Sequence, residues 1–104
     1  MRTAPLAAAL AALLLSSGCL TVGWTFPTQK VSSLAIGTTT REQVRRTFGE
    51  PYRVGIEDGQ PTWTYLHYRY SALGPTRTRD LVVRFDKGGV VSSYTFNTTE
   101  PGDL

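Results

Sequence analysis

Few side chains in this chain could do chemistry. There is one cysteine, Cys19, and one histidine, His67. A single residue of each leaves no internal disulfide framework, no zinc site of the usual Cys and His type and no Cys/His clustering within one chain. His67 is the sole imidazole available as a general base. It sits mid-strand between Leu66 and Tyr68, and no recognised motif places a Ser or Asp beside it, so packing is its expected role. Asp86 with Gly88 and Gly89 starts like a calcium loop, but the further alternating carboxylates that a hard cation needs are missing. It reads as a turn. Asn97-Thr98-Thr99 has the form of a glycosylation sequon and nothing more. No catalytic residue, metal ligand or cofactor is therefore expected. The 11 basic residues against 8 acidic ones, a net charge of +3, are too few for a nucleic-acid groove.

What gives Cys19 meaning is its position. Arg2 supplies a short positive start, and all 12 residues from Ala4 to Leu15 are Ala, Leu or Pro, the apolar stretch of an export leader. Such a run is too short to span a hydrocarbon core, which takes about 20 apolar residues. Leu15-Ser16-Ser17-Gly18-Cys19 follows directly and resembles the lipobox of bacterial lipoprotein signal peptides. That resemblance implies cleavage before Cys19 and acylation of its thiol, and the absence of Asp after Cys19 implies sorting to the outer membrane. Residues 1–18 are thus expected to be a signal peptide, and Cys19 the lipid attachment site. The remainder has room for one small domain.

The elements that must carry these residues follow from pattern. Residues 19–33, with Gly23, Pro27 and several Thr and Ser, show no sustained period and predict a lipidated tether, followed by a domain over 34–97 and a polar, unpaired tail over 98–104. A short helical turn is expected from near Gln29. Thr38-Thr39-Thr40 offers N-cap hydroxyls, and either Thr39 with Glu42 or Thr40 with Gln43 would form a capping box. Val44 and Phe48 share one helix face, Arg41, Arg45 and Arg46 are expected to point to water or to anionic lipid headgroups, and Gly49 before Pro51 stops the helix. A helix of about ten residues is marginal alone, so it must dock.

Its partner is a predicted antiparallel sheet. Tyr52, Val54 and Ile56 alternate up to Asp58-Gly59, a hairpin turn signal. Thr62–Tyr70 is an aromatic strand with Trp63, Tyr65 and His67 on one side and Thr64, Leu66, Tyr68 and Tyr70 on the other. Leu81, Val83 and Phe85 alternate into the turn Asp86–Gly89, and Val90, Tyr94 and Phe96 continue beyond it. Burial of Trp63, Tyr65, Leu81, Val83, Phe85, Val90, Tyr94 and Phe96 under the helix would make one core. The second face, with Leu66, Tyr68 and Tyr70 from one strand and Val82 and Arg84 from its neighbour, is the candidate partner-binding surface, since Tyr and Arg are enriched at interfaces.

Three motifs stand in order: Ile36-Gly37 leading to Val44, Phe48, Gly49 and Pro51; Trp63-Thr64-Tyr65; and Leu81-Val82-Val83-Arg84-Phe85-Asp86 with Gly89-Val90-Val91. Over roughly Leu34 to Tyr94 the chain resembles the SmpA/OmlA, BamE-like family of outer-membrane lipoproteins. The resemblance implies an α+β fold, with a short N-terminal helical pair packed in two layers on a small antiparallel sheet. It also implies a non-enzymatic, lipid-anchored scaffold in the bacterial cell envelope, with its domain in the periplasm and a protein partner in the β-barrel assembly complex. The alternative is a stand-alone envelope lipoprotein that binds a hydrolase or an envelope polymer.

Overall fold

The computed structural model describes residues 19–104; the signal-peptide expectation falls on residues 1–18, outside them. Five strands form one antiparallel sheet: β1 (Cys19–Gly23), β2 (Arg53–Glu57), β3 (Gln60–Ser71), β4 (Arg77–Phe85) and β5 (Val91–Thr98). One α-helix, α1 (Arg41–Phe48), and two 3-10 turns, Thr28–Ser33 and Pro101–Asp103, complete the described residues. The fold is α+β, as expected. The helical turn that precedes α1 is of the tight 3-10 type, six residues long.

The long strand β3 organises the sheet. One of its edges pairs with β4 from Thr62 to Arg69. The other edge is shared end to end: β2 pairs with Gln60–Thr64, and β1 pairs with His67–Ser71. The seam between these short strands is closed by two backbone hydrogen bonds, Trp24 N–H to the Leu66 carbonyl at 3.1 Å and Tyr52 N–H to the Thr64 carbonyl at 2.9 Å. The Trp24 and Tyr52 rings meet edge to face at 5.3 Å over the same seam. The tether predicted for residues 19–33 is therefore not free chain. Its first five residues are a sheet strand, and Phe26 and Val31 are buried in the core.

The β2–β3 turn has positive φ at both Asp58 and Gly59, the signature of the two-residue turn whose twist suits a hairpin. In the β4–β5 turn the Asp86 carboxylate accepts from the Gly88 and Val90 amides at 2.8 and 3.0 Å. A bulge beside Phe85 then pairs that residue with Val91. This corrects one core position: Val91 is fully buried, while Val90 is half-buried and bridges to Thr40.

Of the two capping boxes the sequence allows, the one formed is Thr40 with Gln43, its reciprocal bonds at 2.9 and 3.2 Å. The Thr39 hydroxyl instead accepts from Ala35 N–H. Val44 and Phe48 dock on Trp63, Tyr65, Leu81, Val83, Phe85 and Val91, joined by Phe26, Val31 and Leu34, with Tyr94 and Phe96 packed against the cluster. Buried Tyr65 donates its hydroxyl to the Gly49 carbonyl at 2.8 Å, and burial pushes its pKa well up. Arg41 and Arg45, expected to point to water or to lipid headgroups, lie over the rings of Phe85 and Trp63 at 5.4 and 4.9 Å, while the Arg45 side chain stays 50 % exposed and pairs with Glu50 at 3.0 Å.

The tail also departs from expectation. Asn97 and Thr98 pair with Asp80 and Arg79, and the Pro101–Asp103 turn folds back so that Arg79 makes a two-toothed ion pair with Asp103 at 2.6 and 3.1 Å. Thr98 donates to the same carboxylate at 2.6 Å. A half-buried carboxylate with these donors ties down a segment whose composition is that of a loose tail.

Candidate functional site

The register of β3 and β4 separates the two faces. Trp63 opposes Val83 and Tyr65 opposes Leu81 on the face under α1. Thr64 opposes Val82, Leu66 opposes Asp80 and Tyr68 opposes Thr78 on the face turned away from it. All five residues of the candidate surface lie on this open face, since Thr62 and Arg84 are also paired there.

They do not form one patch. Val82 and Arg84 sit beside Thr64 and Thr62, and six strand residues at about 3.3 Å each separate Thr64 from Tyr70, roughly 20 Å. Arg84 is also engaged, with Nη2 at 2.8 Å from Glu57 and 3.5 Å from Asp58. Leu66 is 6 % exposed, against 40 % for Tyr70. It supports the surface from beneath, while Tyr68 and Tyr70 present it.

These two rings meet edge to face at 6.2 Å. Tyr68 donates its hydroxyl to Asp80 at 3.2 Å, and Asp80 also accepts from the Asn97 amide at 3.3 Å. Burial, then the Asp80 charge, raises the Tyr68 pKa, so the phenol stays a neutral donor. Opposite them on the same face stand Val22, paired with Tyr68, and Leu20, paired with Tyr70. Leu20 is 61 % exposed. Both were missed at the level of sequence. The alternation Leu20-Thr21-Val22-Gly23 was the signal, too short to outweigh the Thr- and Gly-rich composition around it. The assembled surface is an apolar, aromatic end of a sheet, able to bind a protein side-chain cluster through area and one phenol–carboxylate pair.

His67 lies half-buried between Gly23 and Arg79 in the sheet register. Among the described residues no three His, Cys, Asp or Glu side chains gather as metal ligands. Cys19 is exposed at the first position of β1, opposite Ser71. No helix among the described residues is long and apolar enough to cross a membrane.

Comparison with curated proteins gives no match. Residues 23–95, which run from the end of β1 through α1 and the sheet to β5, match the family of the outer membrane protein assembly factor BamE domain, a family of assembly-factor domains rather than of enzymes. That match covers well over half of the chain, and together with the ordered motifs on α1, β3 and the β4–β5 hairpin it makes this protein a member of the BamE family.

Proposed function

We propose that the protein is a lipid-anchored, non-enzymatic scaffold of outer-membrane protein assembly. Acylated Cys19 holds it to the outer membrane with its domain in the periplasm, and the Tyr68–Tyr70 end of the open face docks on a larger subunit of the β-barrel assembly complex. The observation that carries this reading is the family match over residues 23–95. The leader resemblance upstream of Cys19 supports the anchor, and the apolar cluster of exposed Leu20 and Tyr70 with half-buried Val22 and Tyr68 supports the docking face. Anchoring confines the protein to a thin layer, so a contact of modest affinity is enough to keep it engaged.

The test is affinity purification of a C-terminally tagged protein from detergent-solubilised native membranes, beside a Tyr68→Ala/Tyr70→Ala variant. Barrel-assembly subunits are expected with the native form. Loss of two central aromatic anchors costs about 2 kcal/mol or more, roughly a thirtyfold loss of affinity, so they fall away with the variant. An acylated protein that recovers none of these subunits, or recovers a hydrolase or envelope polymer in their place, sinks the assembly role and leaves the anchor standing.

A further inference from the structure

The end of the sheet that carries Cys19 differs from the opposite end. At the far end the two turns hold Asp58 and Asp86 with Lys87. The β3–β4 loop beside Cys19, Ala72-Leu73-Gly74-Pro75-Thr76, has no charge at all, and Leu73 at its tip is 98 % exposed. Directly behind this uncharged tip, Arg69 and Arg77 are partners across the β3–β4 register. Like charges placed opposite one another in a sheet repel. Arg77 is relieved in part by Glu100 at 3.5 Å, whereas Arg69 has no acidic partner among the described residues. The two arginines line a hollow of about 350 Å³ with Cys19, Ser71, Gly74 and Pro75. An apolar tip with a facing arginine pair behind it is the arrangement that suits the boundary between hydrocarbon and phosphate.

We propose that this end of the domain is a membrane-docking surface: Leu73 enters the acyl boundary of the bilayer, and Arg69 and Arg77 hold a lipid phosphate in the hollow beside Cys19. The inference rests on the reading of Cys19 as the acylated residue. Paired Cα atoms across an antiparallel ladder are about 4.5–5.5 Å apart, and Cys19 is already in register with Ser71. Acyl chains on its sulfur thus leave no slack between domain and bilayer, and they bring the 72–76 loop into a headgroup layer about 5–8 Å deep. The domain is then fixed in orientation, with the Asp58 and Asp86 turns pointing away from the lipid.

The test uses the acylated full chain in vesicles of phosphatidylcholine and phosphatidylserine. Acylation consumes the Cys19 thiol, so Leu73→Cys and, separately, Lys87→Cys each present one free thiol for an environment-sensitive fluorophore. Quenching by a lipid with a nitroxide high on its acyl chain is expected to be several-fold stronger at position 73 than at position 87. Adding Arg69→Gln/Arg77→Gln is expected to remove most of that difference. If the two labels are quenched alike on protein whose mass shows the acyl addition, the docking surface is overturned and the anchor survives. If the mass shows unmodified Cys19, the anchor reading falls and this inference falls with it.

Discussion

On the face of β3 that α1 covers, Trp63 and Tyr65 lie in a closed cluster in which Leu81, Val83 and Phe85 have no exposed surface. On the opposite face Tyr68 and Tyr70 stand partly in water, with only Leu66, Thr62 and Thr64 sealed. One strand thus carries two aromatic sets with different tasks. The closed set is held by many contacts and by a hydroxyl bonded to backbone, Tyr65 to Gly49. The open set has its single hydroxyl bond to an ionisable side chain, Tyr68 to Asp80, and keeps surface for something else. Aromatic content alone does not distinguish the buried set from the exposed one; the register against β4 does.

The contrast breaks most sharply with Leu81→Ala. A fully buried leucine replaced by alanine loses its transfer energy and leaves a cavity, so unfolding in urea should show a loss of about 2–5 kcal/mol. A loss no larger than that of Tyr70→Ala would mean that the two faces are not different. Gly23→Ala probes the sealed part of the open face. Gly23 has φ +78°, and a Cβ there would stand 2.1 Å from the Leu66 carbonyl oxygen and 2.7 Å from its Cδ1. Left-handed backbone and clash together should cost more than about 1 kcal/mol, with faster hydrogen exchange at the Trp24 amide as β1 loosens. Unchanged exchange would show that β1 is not held at this crossing.

The smallest effect concerns the tail. Hydrogen bonds from Arg79 and then Thr98 hold the Asp103 carboxyl below its ordinary pKa of 3.8. Its contribution is complete above that value and is lost as pH falls from there through the lower native pKa. Since Arg79 is 36 % exposed, solvent screening limits the pair to about 1 kcal/mol at most. Asp103→Asn should therefore lower stability slightly at neutral pH and flatten the acid limb of the stability profile. A variant whose acid limb keeps the native slope would assign that slope to other carboxylates.

Local signals carried much of the fold. Thr40 with Gln43, the Val44–Phe48 spacing, Gly49, Asp58-Gly59 and the alternation through β3 and β4 each act over a few residues, and each is legible in the chain. What escaped depends on distant pairing. β1 exists because β3 is longer than β2 and offers an unpaired half-edge, which the brief alternation within Cys19–Gly23 is too short to announce. The bulge that turns Val91 inward sits beside a bridge from Val90 to Thr40, where Arg41 N–H bonds the Gly89 carbonyl and Val91 N–H bonds the Thr39 carbonyl, contacts that join segments far apart in the chain. Of the candidate surface, the face was legible from period two. Its division into a Tyr68–Tyr70 end and an Arg84 end was not, because the Arg84 partners Glu57 and Asp58 arrive from another strand.

The shared edge of β3 also sets an order of assembly. β2, β3, β4 and β5 are joined by successive hairpins, each closing a short loop, whereas β1 must wait for the far half of β3 and closes the longest loop of any strand pair. By loop-closure entropy the strand bearing Cys19 is then expected to be the last to join. On the proposed reading of Cys19 as the acylated residue, a maturing chain would keep its cysteine open to processing while the rest of the domain is already folded, and would fasten the domain to its anchor only afterwards.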